Sequence, residues 1–466
     1  MSRPDADMKD ERMPPHLGIV ADDVTGATTV AALLAHAGVS NAVLLDPSYC
    51  QGDEGSGYDA VVVSTDSRAL LPEEARVRVA AATRSLLEAG ATLFSKRTDT
   101  TSRGGIGYEV EGMLSQLDED YVAVLVPAMP QSKRIVVGGY SLIDSVMLEF
   151  TGVATDVRTP VHESHLPTLI GSQLTQELEH ISICDVLGGE QSLIRRFTEA
   201  RSQGCRVFLA DAASLADVEL IARVLVGLGW KVVCVDPGPF TQAFALASGI
   251  TTHAKVDKPP LRTEPQPYER GTAVVVVGSA TAVTNTQMRS LLDQEGSVAL
   301  SVRIAPLVCG GQRLREESER VLAELDRSWD ESRPPRVVVV GLESSLTGCL
   351  VDIDRIETEA GIERGVGAAN VAARLGQIGR EVIDRIGGAR LAGTYFTGGD
   401  VMVNTCHAME AKGLSLEGYV IPQADQGRIV GGPFAGLPVV GKGGLTGGPL
   451  TAIHIVNRLF DERKVS

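Results

Sequence analysis

Phenylalanine, tyrosine and tryptophan make up only 4% of this 466-residue chain. That is too few to build the aromatic platforms on which single-stranded nucleic acid stacks. Basic charge is short as well. The formal charge of −16 denies the chain the positive field that tracks a phosphate backbone, so nucleic acid is not an expected partner. Cys50, Cys184, Cys205, Cys234, Cys309, Cys349 and Cys406 are odd in number and form no CxxC pair. They read as small core residues of a reduced cytoplasmic protein, not as disulfide staples or zinc ligands. No apolar run reaches the roughly 18 residues of a membrane span. The opening segment MSRPDADMKDERMPPH carries both charges and no apolar core, which speaks against a signal peptide.

A composition that is 44% hydrophobic and 22% charged is that of a globular chain able to bury large cores. At roughly 100 to 200 residues per domain, the length implies two or three domains, with two as the starting count. Short β-branched runs alternate with helical patterns: Leu17 to Ala21, Ala60 to Ser64, Ala91 to Lys96, Val122 to Val126, Val207 to Ala210 and Val232 to Val235. This predicts a helix-covered parallel sheet. A second series follows at Ala273 to Val277, Val337 to Val340, Ala392 to Phe396 and Leu437 to Val440. Between the series lies a charged stretch with Pro259, Pro260, Pro265 and Pro267 and no apolar period. The expected organisation is a flexible tail (1–15), an N-terminal domain (16–253), a linker (254–270) and a C-terminal domain (271–466). Both domains are expected to be α/β, doubly wound and mostly parallel, with an active site in the cleft between them.

Open α/β sheets bind ligands beyond the carboxyl ends of their strands, so the strand-to-helix loops carry the search. In ADDVTGA, Asp22 and Asp23 end a strand just before a helix. One of them could simply cap that helix, but two adjacent acids repel phosphate and suit hydroxyls, a cation or a proton awaiting removal. In FSKRTDTTSRGG, the residues Lys96, Arg97, Asp99 and Arg103 precede Gly104. Arginine can grip a carboxylate with two parallel bonds, and a nearby aspartate can accept a hydroxyl proton. A solvated charged loop is the plain alternative. TDSRAL adds Asp66 and Arg68.

The second series offers glycine turns instead. Gly278 and Ser279 follow one strand, and Gly398, Gly399 and Asp400 follow another just before a helix. Exposed N–H groups at a helix start favour phosphate, although such turns also serve packing. GLPVVGKGG nearly spells a P-loop, but Gly443 stands where Ser or Thr is required and the intervening residues read as the strand itself. Lys442 and the glycines after it remain candidate phosphate contacts. GVGAAN at Gly365 is a poor dinucleotide fingerprint, lacking a third glycine and a preceding strand.

Taken in order, ADDVTGA, KRTDTTSRG, VPAMPQSKRIVVGGY, TDVRTPVHES, GSATAVTNTQ, TGGD and VVGKGG resemble the four-carbon acid sugar kinase family over nearly the whole chain after residue 16. The resemblance implies phosphorylation of acids such as threonate, erythronate or their oxo relatives by ATP with Mg2+. It also implies that the sugar acid sits in the N-terminal domain and ATP in the C-terminal one. By motif position, Ser279, Gly398, Gly399, Asp400, Gly443 and Gly444 are implied to line the nucleotide, joining Gly278 and Lys442 from the loop reading, with Asp400 either contacting magnesium or capping its helix. Asp22, Arg68, Lys96, Arg97, Arg103 and Gly104 are the expected substrate residues. Arg103 with Lys96 or Arg97 would hold the carboxylate, while Asp23 or Asp99 would orient or deprotonate the attacking terminal hydroxyl.

The chain departs from the family pattern in several places. Thr100 and Thr101 replace an ST pair, Gly105 stands where Asn is usual, Asp236 to Pro239 replace a GSAG-like turn, and Val401 stands where Thr is usual. A nicotinamide-dependent oxidoreductase is the rival enzyme reading, disfavoured by the absent GxGxxG. A non-catalytic sugar-acid sensor is the rival of another class. A homodimer would be unsurprising.

Overall fold

In a computed structural model, which describes residues 16–156, 158–250 and 271–463, the β-branched runs become strands buried on both faces. The expected tail and the linker at 254–270 lie outside the described residues. The chain divides into two units, Met1–Ala254 and Lys255–Ser466.

The first unit contains β1 (Leu17–Ala21), β2 (Asn41–Leu44), β3 (Ala60–Ser64), β4 (Leu93–Arg97), β5 (Val122–Leu125), β6 (Arg134–Val137), β7 (Tyr140–Ile143), β8 (Val146–Met147), β9 (Leu178–Ile181), β10 (Val207–Ala210) and β11 (Val232–Asp236). Eight of these run in the order β2-β3-β1-β4-β11-β5-β10-β9, and each adjoining pair is parallel. Parallel neighbours need helical crossovers, which cover both sheet faces. The side chains accordingly alternate between two cores. Val233 and Val235 enter one with Val61, Val63 and Leu209, while Val232 and Cys234 enter the other with Phe208 and Phe197. The strands β6, β7 and β8 form a small antiparallel sheet. The chain leaves β1 toward one side and reaches β4 on the other, so β1 and β4 flank the point where the winding reverses.

The second unit contains β12 (Thr272–Val277), β13 (Ser297–Val302), β14 (Val337–Leu342), β15 (Leu391–Thr397), β16 (Gly413–Ile421), β17 (Ala424–Val430) and β18 (Pro438–Lys442). Their order is β13-β14-β12-β15-β18-β17-β16. The pairs from β13 to β18 are parallel, while β18-β17 and β17-β16 are antiparallel. Here β12 and β15 flank the reversal. Val275, Val277 and Val339 pack with Tyr395 and Val456 in the core.

The cysteines correct one expectation. All seven are free, but only Cys50, Cys205, Cys234 and Cys406 are buried, and Cys184 and Cys349 are exposed. Among the described residues no helix is long and apolar enough to cross a membrane.

Candidate active site

The carboxyl ends of β3, β1 and β4 bring the expected acids and bases of the first unit together. Asp23, in extended backbone, caps the helix Val24–His36, and its Oδ1 accepts from the Gly26 N–H at 2.7 Å. The capping role and an ionic one coexist, because its Oδ2 also lies 2.8 Å from Arg68 Nη1. Asp22 is buried and accepts from Arg68 Nε at 2.8 Å. One guanidinium fork thus fixes both carboxylates. Arg97 Nη1 stands 3.4 Å from each of them. A Cβ on Gly26 would fall 1.9 Å from that nitrogen, so only glycine lets the guanidinium lie against the helix start.

Beyond β4, Asp99 accepts from Arg103 Nε at 2.9 Å and Nη2 at 3.1 Å, and also from the Thr101 amide and hydroxyl. Arg103 continues to Asp156 at 2.9 Å, and Arg68 Nη2 is 3.8 Å from Asp99. Gly104, at φ +88°, backs onto the Arg68 backbone. Burial works to raise the Asp99 carboxyl, but the Arg103 hydrogen bonds and the charges of Arg68 and Arg103 hold it well below the usual range. Asp22 is likewise low: burial opposes this, and the charges of Arg68, Lys96 and Arg97 win.

Lys96 sits apart from the other expected cations. Its side chain is 0% exposed, with Nζ 2.9 Å from Glu109 and 2.8 Å from the Arg97 carbonyl that accepts from it. It braces the strand end through these two partners. Glu109, whose carboxyl burial pushes up against the pull of Lys96, went unread in the sequence, as did Asp156. Both lie in stretches whose neighbours draw the eye, and the one legible hint was an acid on the buried face of the helix Ile106–Leu114. The departure at Gly105 has a local cause, since a Cβ there would meet the Tyr108 ring at 2.8 Å. At Asp236, the carboxylate accepts from the N–H groups of Gly238, Phe240 and Thr241. That helix start is occupied by the chain's own acid.

In the second unit, the turns after β12 and β15 line a cavity of about 430 Å³. Gly278, Ser279, Gly398, Gly399 and Asp400 border it, and Ile304, Leu342, Val371 and Ala372 supply an apolar wall. This wall was not read in the sequence, because apolar residues on separate elements carry no motif. Gly398 has φ +102° and precedes the helix Gly399–Ala408, whose first N–H groups have no intrahelical acceptor. Gly278 admits the Val401 side chain, for a Cβ at 278 would lie 2.1 Å from Val401 Cγ2. The β18 loop is tied to the same place. The Thr281 and Thr284 hydroxyls donate to the Gly444 carbonyl at 2.7 and 3.0 Å, and a Cβ on Gly444 would lie 2.2 Å from Ser279 Oγ.

Lys442 donates to the carbonyls of Gly443 at 2.6 Å and Thr446 at 3.3 Å, and burial pushes its ammonium down to about 8. The GVGAAN segment is closed to ligands, because the Glu357 carboxylate takes the N–H groups of Gly365 and Gly367. Among the described residues, no group of three or more His, Cys, Asp or Glu could hold a metal ion.

Comparison with known proteins fits this division. A family described as a sugar-binding N-terminal domain matches residues 17–244, and one described as a nucleotide-binding C-terminal domain matches residues 274–451. The chain is 35% identical over 430 residues to a D-erythronate kinase of Heliobacterium modesticaldum, covering 92% of this chain and 93% of that one. It is 29% identical over 442 residues to a D-threonate kinase of Bordetella bronchiseptica, covering 92% and 94%. A crystal structure of a Haemophilus influenzae protein shares the fold with a TM-score of 0.69 at 21% identity, over 96% of this chain and 99% of that one.

Proposed function

Because the chain belongs to the four-carbon acid sugar kinase family, we propose that it transfers the γ-phosphoryl group of ATP to the terminal hydroxyl of a four-carbon sugar acid. The observation that carries this reading is a pairing of chemistries within one chain. A fixed cluster of carboxylates and guanidinium groups occupies the sugar-binding unit, and an apolar cavity bordered by glycine turns occupies the nucleotide-binding unit.

Phosphoryl transfer depends on positioning and charge neutralisation more than on covalent chemistry. The apolar wall around Ile304 and Val371 would take the base. The N–H groups at Gly398–Asp400, with Lys442 and the glycines after it, would take the phosphates. Mg2+ typically binds one or two carboxylates plus phosphate oxygens. Asp400, at the cavity edge, is the carboxylate that would hold it, and the ion would supply neutralisation of phosphate charge.

On the sugar side, Asp23 and Asp99 separate by environment. Asp99 is 6% exposed and its oxygens are taken by Arg103 and Thr101, which suits holding the loop. Asp23 is 24% exposed, so it is the acid we assign to the attacking hydroxyl. A reaction that consumes ATP belongs in the cytoplasm. The test is a screen of purified protein with ATP, Mg2+ and a panel of erythronate, threonate and an oxo-tetronate, following ADP release. Turnover of at least one acid is expected. Binding of both ligands without ADP release would turn the reading to a sensor.

A further inference from the structure

The cations expected to hold the sugar acid's carboxylate are already engaged. Lys96 is paired with Glu109, Arg68 with Asp22 and Asp23, and Arg103 with Asp99 and Asp156. Arg97 is 5% exposed and walled against the helix start; its Nε is buried without an acceptor, but its Nη1 is paired at 3.4 Å with Asp22 and Asp23. Counted together, this cluster sets five carboxylates (Asp22, Asp23, Asp99, Asp156 and Glu109) against four cations. An anion entering it would meet an unfavourable field unless another cation faced it.

Arg134 is such a cation. It opens β6 and exchanges backbone hydrogen bonds with Met129, N–H to O at 2.8 and 3.2 Å. Met129 lies just past the carboxyl end of β5, on the same sheet edge as the ends of β11 and β4. Arg134 Nη1 donates to the Ser132 carbonyl at 2.9 Å, and Nε is buried with no acceptor. Among the described residues no carboxylate lies within ion-pair distance of it. Burial holds this guanidinium below its ordinary value, and the charge of Asp99 acts against that. A half-buried arginine with an orphaned donor is costly to keep. A bidentate anion would offset that cost.

We propose that Arg134 binds the carboxylate of the sugar acid, and so sets the preference for an acid over a neutral polyol. This rests on the kinase reading above. Arg68 and Arg103 then serve to hold the acids that face the substrate's hydroxyls.

The test is calorimetry on the full chain with erythronate and threonate, each set against its neutral tetritol, erythritol or threitol. Wild type is expected to prefer an acid to its tetritol. Arg134→Gln should lose about tenfold to a hundredfold in acid affinity while keeping tetritol affinity, which collapses the preference. Arg134→Lys, which keeps charge and stem but not the fork, should show an intermediate preference. Tetritol affinity at the wild-type value in the same samples reports that the first unit is intact. A wild-type preference in both variants overturns the assignment. A wild-type protein that binds no four-carbon acid overturns the kinase reading, and this inference with it, so the two failures are told apart.

Discussion

Asp23 and Asp99 are chemically identical residues at one sheet edge, and their surroundings divide the work between them. Asp23→Asn keeps the shape and the cap but removes the proton acceptor. Single-turnover measurements should show the rate falling on the order of a hundredfold or more, with sugar-acid affinity little changed. Asp99→Asn instead releases Arg103, so affinity should fall at least as much as rate. The Lys96–Glu109 pair yields a stability prediction. Lys96→Met leaves an uncompensated buried carboxylate and should cost about 3 to 5 kcal/mol in denaturant unfolding, and Lys96→Met combined with Glu109→Leu should recover most of it. Lys442 yields one for pH. Its ammonium, pushed down to about 8 by burial, is charged below that pH and neutral above it. ATP affinity measured by calorimetry should therefore weaken as pH rises through about 8. Lys442→Arg, charged throughout, should flatten that dependence.

At the scale of the element, legibility followed the length and monotony of the apolar run. β1, β3 and β10 are continuous apolar runs buried on both faces, and their ends coincide with the expected ones. β2 is four residues and opens on a buried Asn41 whose side chain donates to the Ala31 carbonyl at 3.1 Å, so tertiary context and not pattern makes it a strand. β16 alternates buried and half-buried residues, a signature of antiparallel pairing that a search for β-branched runs passes over, and β17 opens on the polar residues Asp425 and Gln426, which hide it from the same search. The candidate site was legible where charge sits at a strand end, as at Asp22, Asp23, Asp99 and Arg103. It was illegible where the charged residue sits inside the pattern of a following element, as Glu109 does on the helix Ile106–Leu114 and Arg134 does at the start of β6. The turn between β15 and its helix gives the element-scale test. Gly398 has φ +102°, so Gly398→Val strains the backbone just where N–H groups would meet phosphate. ATP affinity should fall at least tenfold on the calorimeter while sugar-acid affinity holds, and an unchanged ATP affinity in the folded variant would remove this turn from the nucleotide site.

For the whole molecule, the assignment of one ligand to each unit is testable by amide hydrogen exchange. ATP alone should slow exchange at 278–284, 398–402 and 442–446 and leave 97–105 unchanged, whereas the sugar acid alone should do the reverse. Protection of both sets by either ligand would argue against the division. The fit of Gly278 to Val401, far apart in the chain, carries a consequence for how this sequence can vary. With a Cβ at 278 falling 2.1 Å from Val401 Cγ2, Gly278→Ala is barred while Val401 stands, whereas Val401→Ala removes that clash and leaves only a tight 3.0 Å contact with the residue-401 Cβ, which a shift of a few tenths of an ångström relieves. Of the two mutational routes to the double replacement, only the one that trims residue 401 first passes through a working intermediate, so drift at these positions has a direction. In a library covering both sites, alanine at 278 should survive selection only in clones already shortened at 401.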